Sequence, residues 1–192
     1  MNIEKLKEQM IKIESLQPVL ESVVEAHSEI IILGNGGSNS IASHISQDYT
    51  KALKKRSFTF SDPSRLTCYI NDYGMENAYV EFLKEFSKKE TLVILISSSG
   101  ESDNIINSAD FCNKNNIKLV TLSGFKRENR LNSFKSEANY WVDSEDYGII
   151  ECAHMVFLHS IILAIFTEEG TNPASQKDFT KRLLNWSRET RS

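Results

Sequence analysis

Two short apolar runs, each emptied into a turn of small residues and then a helix, set the limits on what this chain can become. Ile31, Ile32 and Leu33 read as the end of a buried strand, and residues 91–96 (Thr-Leu-Val-Ile-Leu-Ile) as a second one. Gly34, Asn35, Gly36 and Gly37 follow the first run in a turn that glycine fills cheaply, because the backbone there needs a positive φ or a close approach. Ser38 is placed as the N-cap of a helix running to about residue 53. The second run leads into Ser97-Ser98-Ser99-Gly100-Glu101-Ser102, after which residues 103–113 form a helix. Strands alternating with helices describe an α/β fold with a parallel sheet, and the loops after the strands' C-terminal ends are where such sheets bind ligands.

The remaining chain fits this plan. Residues 2–26 predict an amphipathic helix with Ile3, Leu6, Met10, Ile13, Leu16 and Leu20 at spacings of three and four, a stripe that must be buried on its own domain or on a partner. Residues 57–60 are a short strand, and Asp62-Pro63-Ser64 opens a helix with Pro63 near its first position. Asn71-Asp72-Tyr73-Gly74 reads as a polar break before a helix over 76–87. Residues 117–122 and 140–142 are further strands, with at best a weak polar helix over 126–136 between them. Residues 149–166 approach the length of a membrane span, but Glu151, His154 and His159 interrupt them, so a core helix at a subunit interface is the reading adopted. Past residue 169, Gly170-Thr171-Asn172-Pro173 breaks that helix, and residues 176–188 can form a short amphipathic one.

Composition narrows the function classes. The 192 residues suit one domain, the net charge of −4 and the absence of a basic run argue against a nucleic-acid binder, and residues 1–27 are charged and periodic, unlike a signal peptide. Cys68, Cys112 and Cys152 are dispersed, a reducing-compartment pattern without a disulfide framework; the expected location is the cytoplasm, with no membrane or nucleic-acid partner.

The two loops carry the chemistry. The first fails the usual nucleotide signatures: Asn39 stands where G-x-G-x-x-G needs glycine, and no Gly-Lys-Ser/Thr is present. Ser97, Ser98, Ser99 and Ser102 around Gly100 nonetheless supply hydroxyls and free N–H groups at a helix start, an anion cradle that needs no lysine. His44 and Asp48, four residues apart, share one helical face. Glu151, His154 and His159 lie in an apolar helix, where a charged group needs a partner or a task; the residues by themselves do not choose between the two histidines.

Taken together and in order, Gly34 to Ser38, His44, Asn71-Asp72-Tyr73-Gly74, Ser97 to Ser102 and the Glu151…His159 helix resemble the phosphoheptose isomerase branch of the sugar isomerase (SIS) family over roughly residues 3–168. The resemblance implies a flavodoxin-like five-stranded parallel sheet flanked by helices, forming a single SIS domain over 1–169 with 170–192 as an added tail. It also implies a homotetramer joined through the N-terminal helices, with active sites shared between subunits, and conversion of sedoheptulose 7-phosphate into D-glycero-D-manno-heptose 7-phosphate for the heptose of surface polysaccharides. By the same resemblance Asn35, Gly36, Gly37, Ser38, Asn71 and Asp72 contact substrate, and Ser97, Ser98, Ser99 and Ser102 hold its phosphate. His44, Asp48, Glu151 and His159 surround the reacting carbons, which selects His159 over His154. The chain departs from the family in four places: Asp48 for the usual Glu, Glu151 for the usual Gln, Gly148 for a polar residue, and the tail.

Two carboxylates in one cleft repel unless a cation intervenes, so His44, Asp48, Glu151 and His159 are expected to bind one zinc ion. Asp48 and His159 are the expected proton-transfer pair of an enediol mechanism. Two other readings stay open: an isomerase of a different phosphosugar, and a non-catalytic phosphosugar-binding tetramer that engages protein partners.

Overall fold

The structure, a computed structural model, describes residues 3–168, with side chains placed as far as Ile162. The break after residue 169 and the helix expected over 176–188 lie outside the described residues. Six helices and five strands follow one another among the described residues in the order α1 (Ile3–Glu25), β1 (Glu29–Gly34), α2 (Gly37–Lys51), β2 (Arg56–Thr59), α3 (Pro63–Tyr73), α4 (Ala78–Phe86), β3 (Thr91–Ser97), α5 (Asp103–Lys114), β4 (Lys118–Ser123), β5 (Ala138–Trp141) and α6 (Tyr147–Glu168).

All strand pairs are parallel, and the sheet order is β2-β1-β3-β4-β5. Ile32 pairs with Thr59 on one side and Ile94 on the other, so β1 lies inside the sheet and its residues must be apolar on both faces. Alternate residues supply two cores. Ile30, Ile32, Ile94, Ile96 and Val120 pack under α1, α2 and α6 through Leu20, Ile45 and Phe157. Ile31, Leu33, Val93, Leu95 and Leu119 pack on the other face under α4 and α5 through Phe82 and Ile105. The connection from β1 to β2 runs over one face and that from β3 to β4 over the other. The crossover direction therefore reverses between β1 and β3, and their C-terminal ends flank the crevice where an open parallel sheet binds ligands.

The N-terminal helix forms as its periodicity predicts. Ile13, Leu20 and Val24 are buried, and Leu6, Met10 and Leu16 pack at the margin of the same core. The Tyr140 hydroxyl donates to Gln9 Oε1 at 3.2 Å, and the Lys12 ammonium to the Trp141 carbonyl, which ties α1 to β5. Ile3, Ile11 and Val19 stay exposed. No described helix, α6 included, is long and apolar enough to cross a membrane.

Two local expectations are corrected and a third is sharpened. Ser38 is not the N-cap of α2: Gly36, at φ 53°, turns the chain one step earlier and takes that place, leaving Ser38 buried as the second helical residue. Residues 71–73 are not a break but the last turn of α3, which Gly74 ends at φ 80° with its N–H on the Ile70 carbonyl. The Asp62 side chain accepts from the Arg65 N–H at 2.9 Å and Pro63 presets the first turn, so this helix propagates through polar residues that simply face solvent. Residues 126–136 hold only a single 3-10 turn at Leu131–Ser133.

Candidate active site

The site grows out of the two turns at the ends of β1 and β3. Gly34 is required by close approach: a Cβ there would stand 2.7 Å from backbone and Cβ atoms of Ser38. Its carbonyl accepts from the buried Tyr79 hydroxyl at 2.6 Å, which pins the turn to α4. The second turn is held by Asn129, whose side chain donates to the Gly124 and Lys126 carbonyls and lies against Gly100 (φ 69°). The Gly100 carbonyl in turn accepts from the Leu131 N–H at 3.0 Å.

Between the turns lies a cleft of about 280 Å³, lined by Asn35, Gly36, Gly37 and Ser38 from the first and Ser97, Ser98, Ser99 and Ser102 from the second. Neither α2 nor α5 has a side-chain hydrogen bond at its N-cap. Their first N–H groups and positive dipole ends are thus left for a ligand. The Ser97 and Ser102 hydroxyls stand 3.2 Å apart, each with further capacity to donate or accept. A cleft of hydroxyls, amides and two helix N-termini, with no lysine or arginine in its lining, has donors suited to a phosphate-sized anion.

Glu151 and Tyr147, both from α6, close the cleft on its third side. The Glu151 carboxylate presses on Gly37, where a Cβ would come within 2.6 Å of its Cδ. Glycine at 37 therefore makes room for the acid. Tyr147, largely exposed, is a lining residue that sequence reasoning missed. Its one available signal was position, at the start of the helix that follows the last strand.

His44 and Asp48 project from α2 and His159 from α6. Asp48 Oδ2 lies 3.3 Å from His44 Nε2 and 3.8 Å from His159 Nε2, and the imidazole rings are 5.2 Å apart between centroids. All three donor atoms fall within 4.8 Å of one another, and the group is part-exposed, open to a ligand. Burial pushes the His159 imidazole below its ordinary range, assisted by His44 and opposed by the Asp48 carboxylate. The net direction favours the neutral ring, the form that accepts a proton or ligates a metal. Two imidazoles and one carboxylate around a common point fit a divalent metal with open positions left for substrate.

The expected fourth ligand is not in this group. Glu151 falls outside it among the described residues, because it stands about two helical turns before His159 on α6 and turns toward Gly37 instead. Asn71 and Asp72 are likewise not brought to the cleft of their own chain. They bond to each other on the exposed end of α3, Asn71 Nδ2 donating to Asp72 Oδ1 at 2.9 Å. His154 is fully buried, its Nε2 on the Ser123 carbonyl at 3.1 Å, and belongs to the packing of α6 on the sheet.

This order of strands, with an anion cleft at its switch point and an ionisable cluster alongside, defines the α/β domain of the SIS type. No family model matches the chain. It is, however, 32% identical over 161 residues to a phosphoheptose isomerase of Helicobacter pylori, an alignment covering 77% of this chain and 82% of that protein. A phosphoheptose isomerase of Fusobacterium nucleatum is 27% identical over 161 residues, covering 81% and 82% of the two chains. The solved phosphoheptose isomerase of Neisseria gonorrhoeae superposes with a TM-score of 0.72 at 19% identity, over 86% of this chain and 95% of that one, and shares the fold. The chain belongs to the phosphoheptose isomerase family.

Proposed function

We propose that this protein is an aldose–ketose isomerase that converts sedoheptulose 7-phosphate into D-glycero-D-manno-heptose 7-phosphate, feeding heptose into surface polysaccharide. The observation that carries the reading is the pairing of a lysine-free anion cleft with the His44–Asp48–His159 cluster on the same two helices that border it. From Gly37 at the cleft to His44 is about 10 Å along α2, a span suited to an extended phosphorylated sugar. Ser97, Ser98, Ser99, Ser102 and the amides of residues 36–38 hold the phosphate, with Asn35 on the adjoining hydroxyls. Anchoring the remote end commits binding energy to orienting the carbons that react.

The chemistry moves a proton between adjacent carbons through an enediol. Asp48 and His159 are the proton-transfer pair: the carboxylate takes the proton from one carbon and returns it to the next, while the imidazole moves the hydroxyl proton between the two oxygens. Without a metal, His44 with nearby donors stabilises the developing oxyanion. His44, Asp48 and His159 would hold a zinc ion, which supplies Lewis-acid polarisation of the carbonyl when bound. Glu151 contributes to sugar recognition from the other side of the cleft. Asn71 and Asp72 reach substrate by completing the site of a neighbouring subunit. The exposed Ile3, Ile11 and Val19 of α1 support assembly into a homotetramer through that helix.

The test is turnover of sedoheptulose 7-phosphate followed by NMR, with zinc or a chelator added, on protein whose assembly is measured by light scattering. Conversion to the aldoheptose phosphate, raised by zinc, is the expected result. An assembled protein that leaves this sugar untouched refutes the substrate assignment. It would favour another phosphosugar, chosen by the acid that Glu151 places in the cleft.

A further inference from the structure

The two anion-binding turns are joined by one pair of side chains. Asn35 Nδ2 donates to Asn104 Oδ1 at 2.9 Å, and Asn104 Nδ2 donates back to Asn35 Oδ1 at 2.9 Å. Asn35 lines the cleft; Asn104, in the first turn of α5, is only 4% exposed and is not among the lining residues. A primary amide has two nearly identical ends, and an asparagine at a cleft can present either its carbonyl or its NH₂ to a given spot. Here the choice is made one residue further back. The Ile105 N–H donates to Asn104 Oδ1 at 3.0 Å, and of the two ends of a primary amide only the oxygen can accept a backbone N–H. Asn104 is thereby fixed end for end, and the reciprocal pair fixes Asn35 in turn.

We propose that Asn104 is a positioning residue, which locks the flip state of Asn35 so that the cleft always meets the same arrangement of one remaining N–H and one remaining carbonyl lone pair. The lock has a second effect. It ties the turn after β1 to the helix that follows the turn after β3, so the two halves of the cleft are set at one spacing before substrate arrives. Preorganised groups cost no ordering when the ligand binds, whereas an amide free to rotate and flip must be ordered each time. Truncating Asn104 leaves Asn35 beside open solvent, where water satisfies its amide, so the fold loses little while binding suffers.

For its kinetic readout the inference rests on the isomerase reading above. The experiment is a double-mutant cycle on the full chain with Asn35→Ala, Asn104→Ala and the pair, measuring KM and kcat for sedoheptulose 7-phosphate. Asn104→Ala is expected to raise KM about tenfold with a smaller change in kcat, and to have almost no further effect once Asn35 is alanine. Asn104→Asp, equal in volume, sets a carboxylate oxygen against Asn35 Oδ1 and should raise KM as much as the alanine does; it also serves if the alanine variant fails to fold. Equal effects of Asn104→Ala in both backgrounds, or an unchanged KM in the native one, overturn the proposal. The lock is also read without any sugar, from the side-chain NH₂ of Asn35 in a TROSY spectrum. Slow hydrogen exchange in the native protein and fast exchange in Asn104→Ala support it, and equal exchange in both refutes it. A native protein inactive on this sugar, yet with a protected Asn35 amide, separates failure of the substrate assignment from failure of the lock.

Discussion

His154 should make this protein acid-labile, and by an amount that follows from its surroundings. The ring is wholly buried between α6 and the sheet, edge-on to Tyr140, with Nε2 bonded to the Ser123 carbonyl and Nδ1 without a hydrogen-bond partner. Desolvation holds its pKa down at about 4, against a small opposing push from that carbonyl. The unfolded chain, with a pKa near the ordinary histidine value of about 6.5, therefore binds the proton more readily than the folded one. Stability is complete above about pH 6.5, falls as pH drops through the interval, and has lost the whole contribution, roughly 3 kcal/mol, below about pH 4. Between about pH 8 and pH 5 the linkage integral gives a loss of about 2 kcal/mol. Urea unfolding at fixed protein concentration, for the native chain and for His154→Gln across that interval, isolates the term, since every other titrating group is common to both. The variant should be weaker at pH 8 but lose about 2 kcal/mol less on acidification. Parallel loss of stability in the two proteins would show that His154 does not carry the effect.

Two further outcomes follow from the site. Gly100→Ala puts a Cβ at φ 69° and drives it into the buried Asn129 side chain; the left-handed backbone and the overpacking together should cost about 2–4 kcal/mol in a thermal or urea melt, and an unchanged melt would contradict the geometry. Asp48→Asn should lower turnover by about 10²–10⁴-fold while calorimetry still detects phosphosugar binding; retained activity would refute Asp48 as the base.

How much of this could be read from residues alone depended on whether the signal was local. The strands at 29–33 and 91–96 announced themselves, because a strand buried on both faces is continuously apolar and these runs end in turns that little but glycine and serine would fill. His44 and Asp48 were paired correctly since four-residue spacing on a helix is itself a distance. Glu151 was grouped with them as a fourth ligand, but it lines the cleft outside their cluster. Its rotation on α6 relative to His159 leaves it facing Gly37, and that depends on how α6 seats against α2, which no spacing encodes. The end of α3 was misread because Asn71, Asp72 and Tyr73 are poor helix formers judged singly; the Asp62 cap and Pro63, several residues upstream, outweigh them. Asn104 was invisible for a related reason, as its partner Asn35 lies on the turn after the neighbouring strand, 69 residues away in sequence.

The union of α1 with α6 and β5 has a consequence for how the protein is made. One face of the sheet is covered by α3, α4 and α5, all within residues 63–114, so that side closes soon after its strands emerge. The other is roofed by α2, by α1, the first element described, and by α6, the last one described, and Phe157 and Leu158 complete it. Synthesis at about 5–20 residues per second leaves Ile94, Ile96, Val120 and Tyr140 waiting for that roof. A nascent chain halted after β5 would hold a complete sheet with one apolar side partly bare. Among the described elements α6 is thus the step that closes this face, and a truncation within it should be far more harmful in the cell than its distance from the anion cleft would suggest.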